Sequence, residues 1–522
     1  MLQSKKISTI LGEYKLLSED QISKINEGMR IMQADGEPEL AIKQYALLHS
    51  QALQGNKGFI NESDIQAIKS LPHYNGFSVK KEKSYRSIGQ EHLSSLGVLK
   101  LNGGLGTGMG LDQAKTLLPI KDGVPFLDII ARQMLHNDTT LILMNSERTD
   151  ADTKQFLANP EYENLKVISF VQGRFPKLDR ATMSPVSEKE YGAEAFNPGG
   201  HGAIYTALQT ETIKQDGRSK SMLEFLISSG IEWLFVSNSD NLGATADPVL
   251  LGYAIENKLP FMMEVAERID SDKKGGHLVR LNYGKDQQED WRFTLRESNQ
   301  LNPQDIEPAT GSHYGENINL HKYFNTNSLW INLNELKALL KKNNGVLPLA
   351  LILNPKETDE KACNKKTPVY QLETAMGSAI SLFKEAAAIV VPRTRFAPVK
   401  NNNELFVRWS NIYELRDGHT LTINPVFDGI QPKISLDDKY FKKYTDYAAR
   451  VNQNYAVDLL ECTSLTVKGN VYFGQGVKVI GEVEIIGNDD MYIIENQTLG
   501  RRGLKTVIEP NKVPRHYLNG GE

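Results

Sequence analysis

The first 90 residues place apolar side chains three and four apart, as at Ile22, Ile25, Met29, Ile31 and Met32, among many Lys, Glu and Gln. That spacing predicts helices, and no chemical motif sits on them. From Gly97 the pattern changes to short apolar runs: GVLKL (97–101), TLILM (140–144), VISFV (167–171), WLFVS (233–237) and FMMEV (261–265). Between the first two lies FLDIIARQM, whose Phe126, Ile130 and Met134 share one helical face. Strands alternating with helices predict an α/β fold built on a mostly parallel sheet. From Leu465 the period becomes six. Leu465, Val471, Val477 and Val483 form one series, and Val467, Phe473, Val479 and Ile485 a second, with Gly469, Gly481 and Gly487 on the same period. Such a hexad repeat reads as rungs of a β-helix, with simple β-hairpins as the alternative. A coil this short cannot bury its faces alone, so it leans on a neighbouring domain or another subunit. The expected units are a helical segment over 1–90, an α/β domain over 91–400, and a C-terminal domain over 401–522 that carries the coil.

Four of the apolar runs end in polar residues. Asn102 and a glycine loop follow LKL, Asn145-Ser146 follow LILM, Gln172-Gly173 follow ISFV, and Asn238-Ser239-Asp240 follow LFVS. Open α/β sheets bind ligands outside the carboxyl ends of their strands, so four such ends predict one shared crevice. Ordinary turn chemistry is the alternative, because Asn, Asp and Gly favour turns anyway.

Composition narrows the partners. The chain has 522 residues, enough for roughly three units of ~150 residues, and a net charge of -4. That charge leaves no electrostatic footprint for nucleic acid, so any phosphate site is a local device. The two cysteines, Cys363 and Cys462, form neither a CxxC nor a zinc spacing and fit a reducing compartment. The opening MLQSKKISTILGEYKLL lacks the apolar centre of a signal peptide. No apolar run reaches the ~20 residues that span a bilayer. The expectation is a soluble cytoplasmic protein without nucleic-acid or membrane partners.

The loop after LKLN holds five glycines between Gly103 and Gly110, and a lone lysine follows at Lys115. Backbone N–H groups cradle a triphosphate only where no Cβ intervenes, and a lysine then adds a full charge. The two commonest loops of this kind do not match. In G-x-G-x-x-G, the third glycine would fall on Met109, Leu111 or Gln113; in the P-loop, glycine would stand where Ala114 precedes Lys115-Thr116.

KLNGGLGTGMG…AK instead resembles the nucleotide-binding loop of the eukaryotic-type UDP-glucose pyrophosphorylases, the UTP–glucose-1-phosphate uridylyltransferases. The match continues in order through LMNSERTDADT (143–153), FVQGRFPKLD (170–179), PGGHGAIY (198–205), SNSDNLGATAD (237–247), MEVAERIDSDKKGG (263–276), FNTNSLWINL (324–333), QLETAMGSAI (371–380) and VPRTRFAPVK (391–400). The hexad repeat is similar to the left-handed β-helix of the family.

The resemblance implies a Rossmann-like nucleotidyltransferase core and reversible conversion of glucose 1-phosphate and UTP to UDP-glucose and pyrophosphate, with Mg²⁺. By family position, Leu101, Asn102, Gly103 and Gly104 hold the nucleotide, and Lys115 meets its triphosphate. Gln172 contacts uracil and Gly200 lies beside the base. His201 lies near the sugar phosphate. Asn238 and Ser239 approach ribose and phosphates, and Asp240 holds Mg²⁺. Asn327 and Glu373 read sugar hydroxyls, and Lys400 reaches the phosphates from the far side. Two positions depart from the family pattern. Ala114 replaces a proline that would fix φ before Lys115, and Ser328 replaces an asparagine beside the sugar pocket. A related pyrophosphorylase for N-acetylhexosamine or a broader set of sugar phosphates is the alternative, though Gly108 stands where its loop usually has arginine. A non-catalytic nucleotide-sugar sensor is a third reading, and would be expected to have lost Lys115, Asp240 or Lys400. The coil predicts a homo-oligomer, since a second copy would cover its open end.

Overall fold

Ser18 opens the first helix in the computed structural model: its hydroxyl accepts from the Gln21 amide, and the Gln21 side chain accepts from the Ser18 amide. The structure describes residues 17–215, 218–284, 288–360, 365–417, 419–510, 512 and 514–518. The readings of the first 16 residues and of Cys363 lie outside these. Helices α1 (Glu19–Ala34) and α2 (Glu39–Leu53) form a hairpin. Ile25, Met29 and Met32 of α1 pack with Ala41, Ile42 and Tyr45 of α2, and the pair rests on Phe175, Leu178, Leu351 and Leu372. A third helix, α3 (Val79–Glu91), follows. Between α2 and α3, Ile65–Gln66 adds a short edge strand to the main sheet.

That sheet begins with β1 (Leu96–Asn102), α4 (Phe126–Asn137), β2 (Thr140–Asn145), α5 (Glu147–Leu157), β3 (Val167–Val171), α6 (Ile204–Thr210), β4 (Trp233–Asn238) and β5 (Phe261–Glu267). It is completed by β6 (His277–Asn282), β7 (Trp291–Arg296) and β8 (Tyr323–Asn332). Each apolar run named above is a strand, and Phe126, Ile130 and Met134 all point into the core. Strands β4, β1, β2 and β3 lie side by side and parallel. Their registers set Asn238 beside Leu101, Asn102 beside Asn145, and Asn145 beside Val171. The four polar strand ends therefore share one edge of the sheet.

The rest of the sheet corrects the expectation of a mostly parallel one: it is mixed. Strand β8 runs antiparallel between β4 and β5, and β6 and β7 form an antiparallel hairpin. Strand direction depends on how the chain crosses over, which a run buried on both faces, such as β8, does not reveal. A long hairpin follows, β9 (Leu351–Glu360) with β10 (Lys365–Thr374). Strand β11 (Ala387–Val390) then joins β5 in parallel.

Helix α7 (Asn402–Trp409) leads to the hexad repeat. There β12 (Asp458–Lys468), β13 (Lys478–Ile486) and β14 (Thr498–Ile508) stack in parallel. Leu465 pairs with Val483 and Val467 with Ile485, a turn of three hexads. Val471–Phe473 and Tyr492–Ile494 pair in parallel on a second face. The repeat is thus a stacked coil and not a run of hairpins. Both hexad series face inward, none of their residues more than 2% exposed. The coil does not stand alone. Its interior is continuous with the apolar layer formed by α4 and the inner residues of β1, β2 and β4. Three hydrogen bonds add to the join: Trp409 Nε1 donates to Pro119 O at 3.2 Å, and Lys121 Nζ donates to Ser410 O at 2.8 Å and to Trp409 O at 3.3 Å.

Candidate active site

Asn102 closes β1 and is buried. Its side-chain amide donates to Asn145 Oδ1 and to Thr153 Oγ1, both at 2.8 Å, and its oxygen accepts from Thr116 Oγ1 at 2.7 Å. This knot ties the ends of β1 and β2 to the far side of the glycine loop. What Asn102 can offer a ligand is its backbone. Ser146 Oγ donates to Gly103 O at 2.9 Å, and Lys115 N donates to Gly104 O at 3.1 Å, so the loop folds back on itself. Gly103 lies directly against the Gln172 side chain. A Cβ there would stand 2.2 Å from Gln172 Nε2, so the two backbone-proximal groups share one wall of the crevice.

At the loop's end Lys115 Nζ meets Asp240 Oδ2 at 2.6 Å, both side chains about one-sixth exposed. Asp240 Oδ1 is buried and has no hydrogen-bond partner. Ser239 Oγ donates to Leu101 O at 2.8 Å and locks the end of β4 to β1. Asn238 lies beside Leu101 in the ladder. Below them Lys100 is fully buried, donating to Ser237 Oγ and Ala244 O, each at 2.8 Å. Burial first, and then the nearby Arg395 guanidinium, pull its ammonium down to about 7. Arg395 forms a two-pronged pair with Glu264, 2.8 Å at each prong, and Trp330 Nε1 donates to the same carboxylate at 2.9 Å.

The second wall is the turn PGGHG. Gly200 takes φ +75, and a Cβ on it would stand 2.6 Å from Thr374 O, so the turn lies directly on the end of β10. Thr374 N donates to Gly199 O at 3.1 Å. The Met376 amide donates to His201 Nδ1 at 3.0 Å, which leaves the ring proton on Nε2. Burial holds this imidazole down to about 4, so it is neutral at neutral pH. Glu373 precedes Thr374 and accepts from Asn354 Nδ2 at 2.9 Å; burial raises its carboxyl above the usual range.

The third wall is a bulge in β8. Glu264 pairs with Ser328 and Val265 with Asn325, so Thr326 and Asn327 are the extra residues. Asn327 takes φ +56 and accepts from Asn325 Nδ2 at 2.8 Å. Asn325 lies within 3.5 Å of Glu297, whose carboxyl is raised by burial against the opposing pull of Asn325 and Lys400. Lys400 itself is exposed. Its neighbour Val399 donates to Asp240 O at 3.3 Å, which sets this stretch against the Asp240 loop.

The predicted residues thus fall into three adjoining groups. Leu101 to Gly104, Lys115, Gln172 and Asn238 to Asp240 form one; Gly200, His201 and Glu373 another; Asn327 with Lys400 near Glu297 the last. The Lys400 ammonium is not among the described partners of Lys115 or Asp240. Lys100, Glu264, Arg395, Asn354 and Glu297 were missed by the sequence reading. One signal was available for two of them: Lys100 and Glu264 are charged residues inside apolar strand runs, and both are fully buried. Among the described residues no group of three His, Cys, Asp or Glu is placed to hold a metal by itself. No described helix is long and apolar enough to cross a membrane.

A glycine loop, one lysine and one carboxylate brought together at the carboxyl ends of parallel strands fit the chemistry of the nucleotidyltransferases. The family model described as UTP–glucose-1-phosphate uridylyltransferase matches residues 42–479. UTP–glucose-1-phosphate uridylyltransferase 2 of Dictyostelium discoideum is 36% identical over 406 residues, 76% of this chain and 74% of that protein. The Saccharomyces cerevisiae enzyme is 35% identical over 407 residues, 76% of this chain and 75% of its own. A UDP-glucose pyrophosphorylase variant from Leishmania major, solved in complex with UDP-glucose, has a TM-score of 0.80 at 36% identity, covering 95% of this chain and 100% of that one. The chain belongs to the UTP–glucose-1-phosphate uridylyltransferase family.

Proposed function

We propose that the chain transfers a uridylyl group reversibly from UTP to glucose 1-phosphate, giving UDP-glucose and pyrophosphate. The observation that carries this is the Lys115–Asp240 pair, 2.6 Å apart at the mouth of the glycine loop and beside the Gln172 wall. In the reaction a phosphate oxygen of the sugar phosphate bonds to the α-phosphorus of UTP while the bond to the leaving pyrophosphate breaks. No side-chain nucleophile is needed. The protein has to hold two anions in line and neutralise the charge that develops.

Each residue has a part in that task. The backbone from Leu101 to Gly104 faces the nucleotide, and Lys115 neutralises its phosphates. Gln172 can donate to and accept from the edge of uracil, with Gly200 beside the ring. His201, neutral with its proton on Nε2, donates to the sugar phosphate. Glu373 and Asn327 receive sugar hydroxyls. Asn238 and Ser239 border the ribose, and Lys400 closes on the phosphates from the far side. Asp240 fits Mg²⁺, because its Oδ1 is buried without a partner and this cation is commonly held by one or two carboxylates plus substrate phosphates. Held there, Mg²⁺ would supply neutralisation of the phosphate charge.

Ser328 favours a second reading, a wider choice of sugar: its hydroxyl is buried without a partner beside Asn327. One assay tests both, release of pyrophosphate from UTP with a panel of sugar 1-phosphates. Preference for glucose 1-phosphate is expected; equal rates across the panel would favour the second reading, and no release with any sugar would overturn both. We also propose a left-handed hand for the coil, supported by the resemblance of its hexad repeat to the β-helix of the family. The cytoplasm is the proposed compartment, in keeping with the free, buried Cys462. A homo-oligomer through the coil is proposed too, supported by exposed Met491 and Ile493 beside its second face. Light scattering at micromolar concentration tests it, and a monomer would exclude it.

A further inference from the structure

Gln172 sits at the end of β3 with only one ladder bond beyond the strand, its N–H to Asn145 O at 2.9 Å. Behind it is a cavity of about 210 Å³ bordered by Asp35, Glu37, Gln44, Gln172, Gly173 and Thr206. Packing therefore does not fix this segment from behind. What borders the cavity on its other side is the turn between α1 and α2.

That turn holds the two residues after Gln172. Glu37 Oε1 accepts from the Arg174 amide at 3.0 Å. Its other oxygen lies against Gly173, where a Cβ would be 2.5 Å from Oε2. Asp35 takes the Arg174 guanidinium in a two-pronged pair, with Nε to Oδ2 at 2.6 Å. The same guanidinium reaches Glu147 at the start of α5, at 2.9 Å, and lies over the Phe196 ring, 4.5 Å from its centroid. Arg174 is also the ladder partner of Pro198, which leads into Gly199 and Gly200. One arginine therefore joins the segment bearing Gln172 to the turn bearing Gly200, and two acids of the N-terminal hairpin fix that arginine. The hairpin is itself anchored, since Thr206 Oγ1 donates to Gln44 Oε1 at 2.8 Å and Tyr45 packs edge-on to Phe175.

We propose that Glu37, Asp35 and Arg174 are positioning residues for recognition of the nucleotide base, holding Gln172 and the Gly200 turn at the spacing that accepts uracil. This rests on the reading of Gln172 as the base contact. The hairpin, which carries no chemical motif, is then a brace for nucleotide selectivity. None of the three residues needs to touch the substrate. Glu37 works through the Gly173–Arg174 backbone, and Asp35 through the guanidinium.

The test compares Glu37→Ala, Glu37→Gln, Arg174→Lys and Gln172→Ala with the parent full-length protein. The readouts are kcat and KM for UTP, CTP and glucose 1-phosphate, with the melting temperature of each variant. Loss of the Glu37 contact is expected to raise KM for UTP and to narrow the UTP-over-CTP preference about 3- to 10-fold, the range of one ordinary hydrogen bond. KM for glucose 1-phosphate should stay within about twofold, since a single local contact acts on one substrate. Glu37→Gln keeps an acceptor oxygen and should recover most of the preference. Arg174→Lys keeps the charge but loses the fork, and should lose it. If Glu37→Ala does not fold, the last two variants carry the comparison. Narrowing by Gln172→Ala together with an intact preference in Glu37→Ala and Arg174→Lys overturns the brace alone. An intact preference in Gln172→Ala removes the base-contact reading and the brace with it. Equal losses of activity toward both substrates, following a lowered melting temperature, reduce these residues to structural ones and also overturn the proposal.

Discussion

Lys115 and Asp240 meet each other directly at 2.6 Å, so the two groups proposed for phosphate and metal neutralise one another. A metal ion arriving alone has to compete with an ammonium for the carboxylate. A nucleotide draws the ammonium away and frees it. Binding of Mn²⁺ to the free protein, followed by water-proton relaxation, is expected to be weak and to tighten on adding UTP. Lys115→Ala should bind the free ion more tightly than the parent. The same variant should lose about 10²–10³ in turnover, the usual effect of removing one preorganised group from a developing charge, with little change in melting temperature. Asp240→Asn should require more magnesium and remain slow, read by a magnesium titration of the rate. Both positions stood out in the sequence, Lys115 behind the glycine loop and Asp240 at the end of the β4 run. The pairing of Glu264 with Arg395 was not legible there, since it spans 131 residues. A buried ion pair of that kind is visible only once β5 and the stretch around Arg395 lie side by side.

The element that does most to shape the crevice is a turn, PGGHG, pressed onto the end of β10. Gly200→Ala puts a side chain 2.6 Å from Thr374 O at a left-handed φ. The conformation alone, φ +75 with ψ 172, costs roughly 1–3 kcal/mol, and the clash moves His201 and Glu373 with the turn. The expected outcome is raised KM for both substrates and a lowered melting temperature, read by steady-state kinetics and thermal unfolding. The parallel half of the sheet was legible because four apolar runs, each capped by a polar residue, repeat at helical intervals. The antiparallel half was not. FNTNSLWINL reads as a strand in either direction, and nothing local marks the bulge that lifts Asn327 out of β8. That bulge is defined against its partner β5, through Glu264 and Val265. The hexad repeat was legible as a coil, since its two series of apolar residues share one period and both face inward.

Across the whole molecule, buried histidines set the acid limit of the fold. His49 is fully buried between Tyr45 and Met183, and burial pulls its imidazole down to about 4 from an ordinary 6.5. His277, also fully buried, is lowered further in the same direction. The unfolded chain takes up these protons first. Stability is then full above pH 6.5 and falls as the pH drops toward 4, by about 3 kcal/mol for a group such as His49. Melting temperature against pH should show this slope, and His49→Gln should flatten part of it. The continuous apolar layer from β1 through α7 to the coil has another outcome. Removing the coil would uncover the apolar layer that its interior continues and leave a wet, open face. The tail should therefore resist limited proteolysis as long as the crevice is intact. In denaturant, the loss of nucleotide binding and the loss of the coil should report one transition, with catalytic competence and the far end of the chain sharing a single half-life.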